Sequence, residues 1–247
     1  MPQKLTFMQK IGYMLYPNRC AFCDDVIVMS RDICERCEDE LPRVEGKICA
    51  KCGCEKKYCK CGSALQFDRA AAPFYYESPF NNGLMKFKRN REKWRADVFA
   101  KHMGETLRCA FAGERIDFAV RVPDHERRIN DNVCGPRIGY GISHNLTLAA
   151  AVCENCGIEL RDGVIAYCDG YTESQRGAGK YARFANVFGS FDVAVSPEEL
   201  FGKNILLIDD VLTTGATASE CAKMLKLYGA DKVFCLTLFT TKQEKRV

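Results

Sequence analysis

Nine of the sixteen cysteines in this chain fall between Cys20 and Cys61. Residues 18–62 are otherwise polar and poor in long apolar runs, so this segment cannot build a core without help. Cys20/Cys23 and Cys34/Cys37 are two C-x-x-C pairs separated by ten residues. The two-residue gap lets both thiolates of a knuckle face one ion, and two knuckles complete a tetrahedral set of four. A second set follows with five thiols for four places: Cys49, Cys52, Cys54, Cys59 and Cys61, the last two in a C-x-C pair. Cys49, Cys52, Cys59 and Cys61 are the expected ligands, with Cys54 left over. Spacing alone leaves interleaved pairing between the knuckles open. One or two structural Zn²⁺ ions are expected, each supplying about 10–16 kcal/mol of folding free energy to a segment with little else. Catalytic zinc is not expected, since nothing suggests an open coordination position. A later C-x-x-C, Cys153/Cys156 in "CENC", reads as an incidental packing pair.

The chain has 247 residues, 47% hydrophobic and 28% charged, with a net charge of +4. That balance permits an anionic partner without demanding one. No run approaches the ~18 apolar residues of a membrane span, so no membrane insertion is expected. The N-terminus lacks the apolar core of a secretory signal, and a cytoplasmic location is expected. Residues 1–17, with Leu5, Met8, Ile11 and Leu15 at helical spacing before Pro17, read as a short amphipathic helix. Residues 18–62 form the zinc-ribbon segment, and 63–247 the main domain. There "AAAPFYY", "IDFAVRVP", "KNILLIDD" and "DKVFCLTLF" read as strands. Helix-like stretches at Trp94–Phe111, Leu146–Cys153 and Ala218–Leu227 lie between them. The alternation predicts an α/β fold, a parallel sheet flanked by helices on both faces.

"ILLIDDVLTTGAT", Ile205 to Thr217, carries the most chemistry. Ile205–Ile208 reads as a buried strand with Asp209 and Asp210 at its tip, and Val211–Thr217 as a loop entering a helix. Ligands of open parallel sheets sit outside the carboxyl ends of strands. Such a loop presents unpaired amides and the positive end of a helix dipole to an anion. Thr213, Thr214 and Thr217 add hydroxyls, and Gly215 permits close backbone approach. A nucleotide loop of the GxxxxGK[ST] type and a GxGxxG fingerprint are both absent. Two acids beside a lysine-free cradle suit a phosphorylated sugar, whose vicinal hydroxyls donate to carboxylates, held with a divalent metal. The blander reading is an N-capped helix after a strand with two surface aspartates.

This stretch resembles the phosphoribosyl pyrophosphate (PRPP) motif of type I phosphoribosyltransferases. The resemblance assigns Asp209 and Asp210 to the ribose hydroxyls. It places Val211, Leu212, Thr213, Thr214, Gly215, Ala216 and Thr217 in the PRPP-binding loop, with Thr213 to Thr217 holding the 5-phosphate and Mg²⁺ accompanying the ligand. Nearly the whole chain resembles the ComF family of competence proteins, a zinc ribbon followed by a phosphoribosyltransferase-like domain. "YPNRCAFC" and "FDRAAAPFYYESPFNNGLMKFKRNR" match its ribbon entry and junction. "TESQRGAGKYARFANVFGSFDV" matches with Gln175, Arg183, Asn186 and Phe191 in place. Pro123, His125, Arg127 and Arg128 keep that family's basic segment, whereas its following Arg-Gly-Phe-Asn-Gln run is reduced to a remnant over Gly139–Asn145.

The basic stretch "MKFKRNREKWR" interleaves Phe87 and Trp94 with six cations. It suits a pyrophosphate or a nucleic-acid backbone, or else a solvated face with Trp94 in the core. Lys86 and Lys88 are the better candidates for an anion. His125, Arg127 and Arg128 follow a second strand end. Gln175, Lys180 and Arg183 lie in a segment that resembles the mobile lid of these enzymes. His102 and His144 read as structural. The resemblance implies PRPP binding with transfer of the phosphoribosyl group to a nitrogen acceptor. The alternative is a non-catalytic module that binds PRPP and single-stranded DNA and works with competence proteins in DNA uptake.

Overall fold

Ile205–Ile208 and Val233–Leu236 are apolar at every position, which suits strands covered on both faces. A computed structural model describes residues 12–13, 15–28, 31–59, 61, 65–90, 92–124, 143–168 and 187–242. Its elements run α1 (Glu35–Glu40), β1 (Arg69–Ala71), β2 (Phe74–Tyr75), α2 (Asn82–Asn90), α3 (Lys93–Ala110), β3 (Phe118–Arg121) and α4 (His144–Cys156). They continue with β4 (Ile165–Tyr167), β5 (Phe191–Val193), α5 (Pro197–Leu200), β6 (Asn204–Leu212), α6 (Ala216–Leu227) and β7 (Lys232–Thr240). Residues 1–11 and Met14 of the expected N-terminal helix lie outside the described residues.

The main sheet has the order β1-β7-β6-β3, with β2 also alongside β7, and every pairing is parallel. Alternate residues of β6 enter different halves of the core. Leu206 and Ile208 pack with Phe99 and Met103 of α3 and with Leu148 and Val152 of α4. Ile205 and Leu207 pack with Cys221, Ala222 and Leu225 of α6. Helices therefore cover both faces, as the alternation in sequence predicts. β4 and β5 form a separate antiparallel pair.

Two local expectations differ. "AAAPFYY" divides into β1 and β2, because Pro73 has no N–H to give to a ladder. Trp94 is 38% exposed and carries the Arg95 guanidinium 4.4 Å from its ring centroid. Its neighbour Arg95 takes the buried position, 1% exposed.

The ribbon shares the main core. Phe22, fully buried, packs edge-on against Phe74 at 5.2 Å and tilted against Phe99 at 5.4 Å. His102 packs edge-on against both Phe22 and Phe74, and burial holds its ring below the usual histidine pKa. Arg95 donates to the carbonyls of Cys20 (2.8 Å) and Ala21 (3.1 Å) and pairs with Asp24 and Glu92. Among the described residues no helix is long and apolar enough to cross a membrane.

Candidate functional site

β6 runs on past the acid pair. Val211 and Leu212 stay in the ladder opposite Phe239 and Thr240, which gives their backbone a partner and shortens the expected loop. Only Thr213, Thr214 and Gly215 lie between strand and helix, and Ala216 and Thr217 open α6. Thr213 is exposed, and the Thr214 hydroxyl accepts the Ala216 N–H at 3.3 Å. Gly215 has φ +77°, and a Cβ there would stand 2.9 Å from Leu65 Cδ2. As the N-cap of α6 it offers no side chain of its own, and the Thr214 hydroxyl takes the first helical N–H instead, leaving the following amides of the first turn facing the loop.

Asp209 and Asp210 sit at this carboxyl edge among donors from three elements. Lys88 of α2 brings Nζ to 2.6 Å from Asp210 Oδ2. His144 Nε2 lies 3.1 Å from the same oxygen, and its Nδ1 lies 3.1 Å from Asp124 Oδ1. Asn145 Nδ2 donates to Asp209 Oδ1 (3.2 Å) and to the Val122 carbonyl (3.2 Å). The Asp210 N–H donates to Asp209 Oδ1 at 2.9 Å. Burial, and then the Asp210 charge, push the Asp209 carboxyl up to about 7. Burial would raise Asp210 as well, but His144 and Lys88 outweigh it and hold that carboxyl below its ordinary value. Asp124 is raised, chiefly by burial.

His144 is therefore not a bystander in the core, as expected from sequence, but a partner of the acid pair. α4 delivers it together with Asn145 because Ser143 caps that helix, accepting the Leu146 N–H at 3.0 Å. Asp124 and Asn145 were likewise not singled out in the sequence. The available signal was positional: both follow β3, whose carboxyl end lies beside that of β6 in the parallel sheet. Lys86 points elsewhere, 3.5 Å from Asp24 Oδ2 in the ribbon. Phe87 is fully buried and offers no stacking face. His125, Arg127, Arg128, Gln175, Lys180 and Arg183 lie outside the described residues.

The cysteines converge into two groups. The sulfurs of Cys20, Cys23, Cys34 and Cys37 lie within 4.8 Å of one another, as do those of Cys49, Cys52, Cys59 and Cys61. Sulfur separations of 3.6 Å (Cys23–Cys34), 3.9 Å (Cys49–Cys61) and 3.5 Å (Cys52–Cys59) suit a tetrahedral ion. Four thiolates at about 2.3 Å from zinc would stand roughly 3.8 Å apart. All these thiols are free. Burial, followed by neighbouring charge, pushes Cys23 up to about 12, a cost that a divalent cation would reverse. The residues fit structural zinc. Cys54 stays outside the second group, 3.7 Å from Cys52 Sγ, and a side-chain hydrogen bond joins it to Thr240. Cys52 and Cys54 share a small cavity with Leu65, Phe67 and the Leu212–Gly215 turn. Cys153 and Cys156 pack at the end of α4.

Residues 12–68 match the double zinc ribbon domain family. Over 225 residues, 87% of this chain and 93% of the relative, the sequence is 24% identical to Competence protein F of Haemophilus influenzae. The chain is a homologue of that protein. A 51-residue stretch, 21% of this chain, is 41% identical to Ribose-phosphate pyrophosphokinase of Methanobrevibacter smithii, but spans only 17% of that enzyme. Among solved structures, an adenine phosphoribosyltransferase overlaps 63% of this chain and 84% of its own at 14% identity and a TM-score of 0.36. Glutamine PRPP amidotransferase from B. subtilis overlaps 57% of this chain and a quarter (25%) of its own, at 16% identity and a TM-score of 0.36. The fold of this chain rests on its own parallel sheet and not on these partial overlaps.

Proposed function

We propose that the chain binds PRPP, or a closely related phosphorylated pentose, at the carboxyl edge of β6. The observation that carries this reading is the continuity of the site: two acids, a three-residue turn and a helix start follow one another at the carboxyl end of β6. Asp209 and Asp210 would accept hydrogen bonds from the vicinal ribose hydroxyls. The amides from Thr213 into the first turn of α6, with the Thr213, Thr214 and Thr217 hydroxyls, would hold the 5-phosphate. Lys88 against Asp210 offsets part of the acid charge where a polyanion must approach.

In the catalytic form of this reading, a nitrogen nucleophile attacks the anomeric carbon. The new C–N bond forms as the C–O bond to pyrophosphate breaks, and the pyrophosphate leaves with the bonding pair. Positioning and charge stabilisation drive such a step, with no side-chain nucleophile required. The acid pair does not by itself fit a dedicated Mg²⁺ site. Asp210 Oδ2 already faces two nitrogens and Asp209 Oδ1 accepts from two more, which leaves one oxygen of each carboxylate for a ribose hydroxyl and too few for the six-oxygen shell of a hard divalent ion. Magnesium belongs to this reading as the companion of the ligand's phosphates.

A second reading, a module for single-stranded DNA in competence, rests on the exposed Trp94, with exposed Arg89 and Lys93 nearby in sequence. An aromatic face flanked by cations suits base stacking along a phosphate backbone. Lys86 and Lys88 contribute less to it, since both already face carboxylates. A cytoplasmic location, DNA uptake and competence-protein partners belong with this reading.

The test offers PRPP, Mg²⁺ and a panel of nitrogen bases, and follows pyrophosphate. Release with any one base favours the transferase. No release, together with PRPP binding and retardation of single-stranded DNA in a gel, favours the module.

A further inference from the structure

The ribbon reaches the acid pair through one helix. α2 is seated on the first cysteine group. The Gly83 N–H donates to the Phe22 carbonyl at 2.5 Å, and Asn82 Nδ2 donates to the Cys23 carbonyl at 3.4 Å. The fit is close, for a Cβ on Gly83 would stand 1.7 Å from the Ala21 carbonyl oxygen. One turn further on, Lys86 faces Asp24, which follows Cys23 directly. Two residues later Lys88 reaches Asp210. Phe87, between the two lysines, is fully buried against Phe99 of α3, so the helix cannot rotate freely about its axis. The second cysteine group borders a different part of the site: Cys54, outside the group but 3.7 Å from Cys52 Sγ, bonds Thr240, which in turn donates to the Leu212 carbonyl.

We propose that the first cysteine group, acting through α2, sets Lys88 on Asp210, so that metal occupancy at Cys20, Cys23, Cys34 and Cys37 fixes the counter-charge of the acid pair. Lys88 is thus a positioning residue, and the knuckle is what aims it. The consequence for ligand rests on the sugar-phosphate reading. With Lys88 withdrawn, two carboxylates would meet an incoming polyanion with less compensation, and affinity for PRPP would fall more than affinity for uncharged ribose.

Lysine acylation with acetic anhydride, read residue by residue by mass spectrometry on the full zinc-loaded chain, tests the coupling. In the wild type Lys88 is expected to react slowly relative to the exposed Lys93. Cys34→Ser breaks the first group and is expected to raise the Lys88 rate about fivefold, the size of a lost partly exposed ion pair. Cys59→Ser breaks only the second group and is expected to leave that rate unchanged. Because Cys34→Ser could unfold the ribbon, a double variant, Asn82→Ala with Lys86→Ala, cuts two ties of α2 to the ribbon and keeps every cysteine. It is expected to raise the Lys88 rate at full zinc content. A Lys88 rate that is unmoved in both Cys34→Ser and the double variant, or raised equally by Cys59→Ser, overturns the proposal. The labelling needs no sugar ligand. A wild-type chain that fails to bind PRPP would therefore remove the functional reading and leave the coupling to be judged on Lys88 alone.

Discussion

Asp209 and Asp210 are neighbours in sequence and opposites in electrostatics. Asp210 is only 6% exposed yet kept ionised by His144 and Lys88, whereas Asp209 is raised to about 7 by burial and by Asp210. A carboxyl raised in the folded state favours the fold while protonated. Its contribution is complete below the ordinary carboxylate value and is lost as pH climbs through about 7. Asp209→Asn keeps an acceptor for Asn145 and removes the buried charge. It is expected to melt above the wild type at pH 8, by a few degrees, with the difference shrinking toward pH 4 in a thermal series. An equal melting temperature at all pH values would mean that Asp209 carries no such strain. The placement of the pair was legible in sequence, because an apolar run ending in two acids before a threonine–glycine turn reads as a buried strand leading into a helix. Asp124, His144 and Asn145 were not. Their approach depends on β3 lying beside β6, and no local spacing states which strands become neighbours.

Among the elements, α3 shows how a one-residue phase decides an assignment. "KWR" reads as a charged flank with tryptophan as the natural core residue, yet Arg95 is the buried one, and Trp94 faces outward. Glu92, three residues back, supplies one partner of the guanidinium, but the Cys20 and Ala21 carbonyls and the Asp24 carboxylate come from a segment more than seventy residues away in sequence. Arg95→Met is expected to cost about 3–5 kcal/mol, because it strands buried acceptors. Arg36→Ala, which removes an exposed pair with Glu40, is expected to stay within about 0.5 kcal/mol. Urea unfolding of the two variants checks the contrast, and equal losses would contradict it. The extent of β6 was hidden for a related reason. The register with β7, which keeps Val211 and Leu212 in the ladder, follows from the pairing of the two strands and not from either sequence alone.

At the scale of the molecule, the ribbon and the sheet are one core. Cys20, Cys23 and Cys37 share a buried cluster with Phe74, Phe99 and Phe239. The cysteine spacing made the two groups legible, while the way they dock was not, since it rests on shape against a sheet not yet formed. Elemental analysis is expected to find two zinc ions per chain. Chelation is expected to lower the single unfolding transition as a whole, whereas a separate early transition would mean that the ribbon is an independent unit. The candidate site lies where these parts meet, with α2 tied to the first cysteine group and the Thr213–Gly215 turn lining a cavity with Cys52 and Cys54. Calorimetric titration of PRPP into the wild type and into the double variant Asp209→Asn, Asp210→Asn tests that site most directly. Saturable binding by the wild type, lost in a variant that keeps its zinc and its circular dichroism, is the expected result. Equal affinity in the two proteins would contradict it.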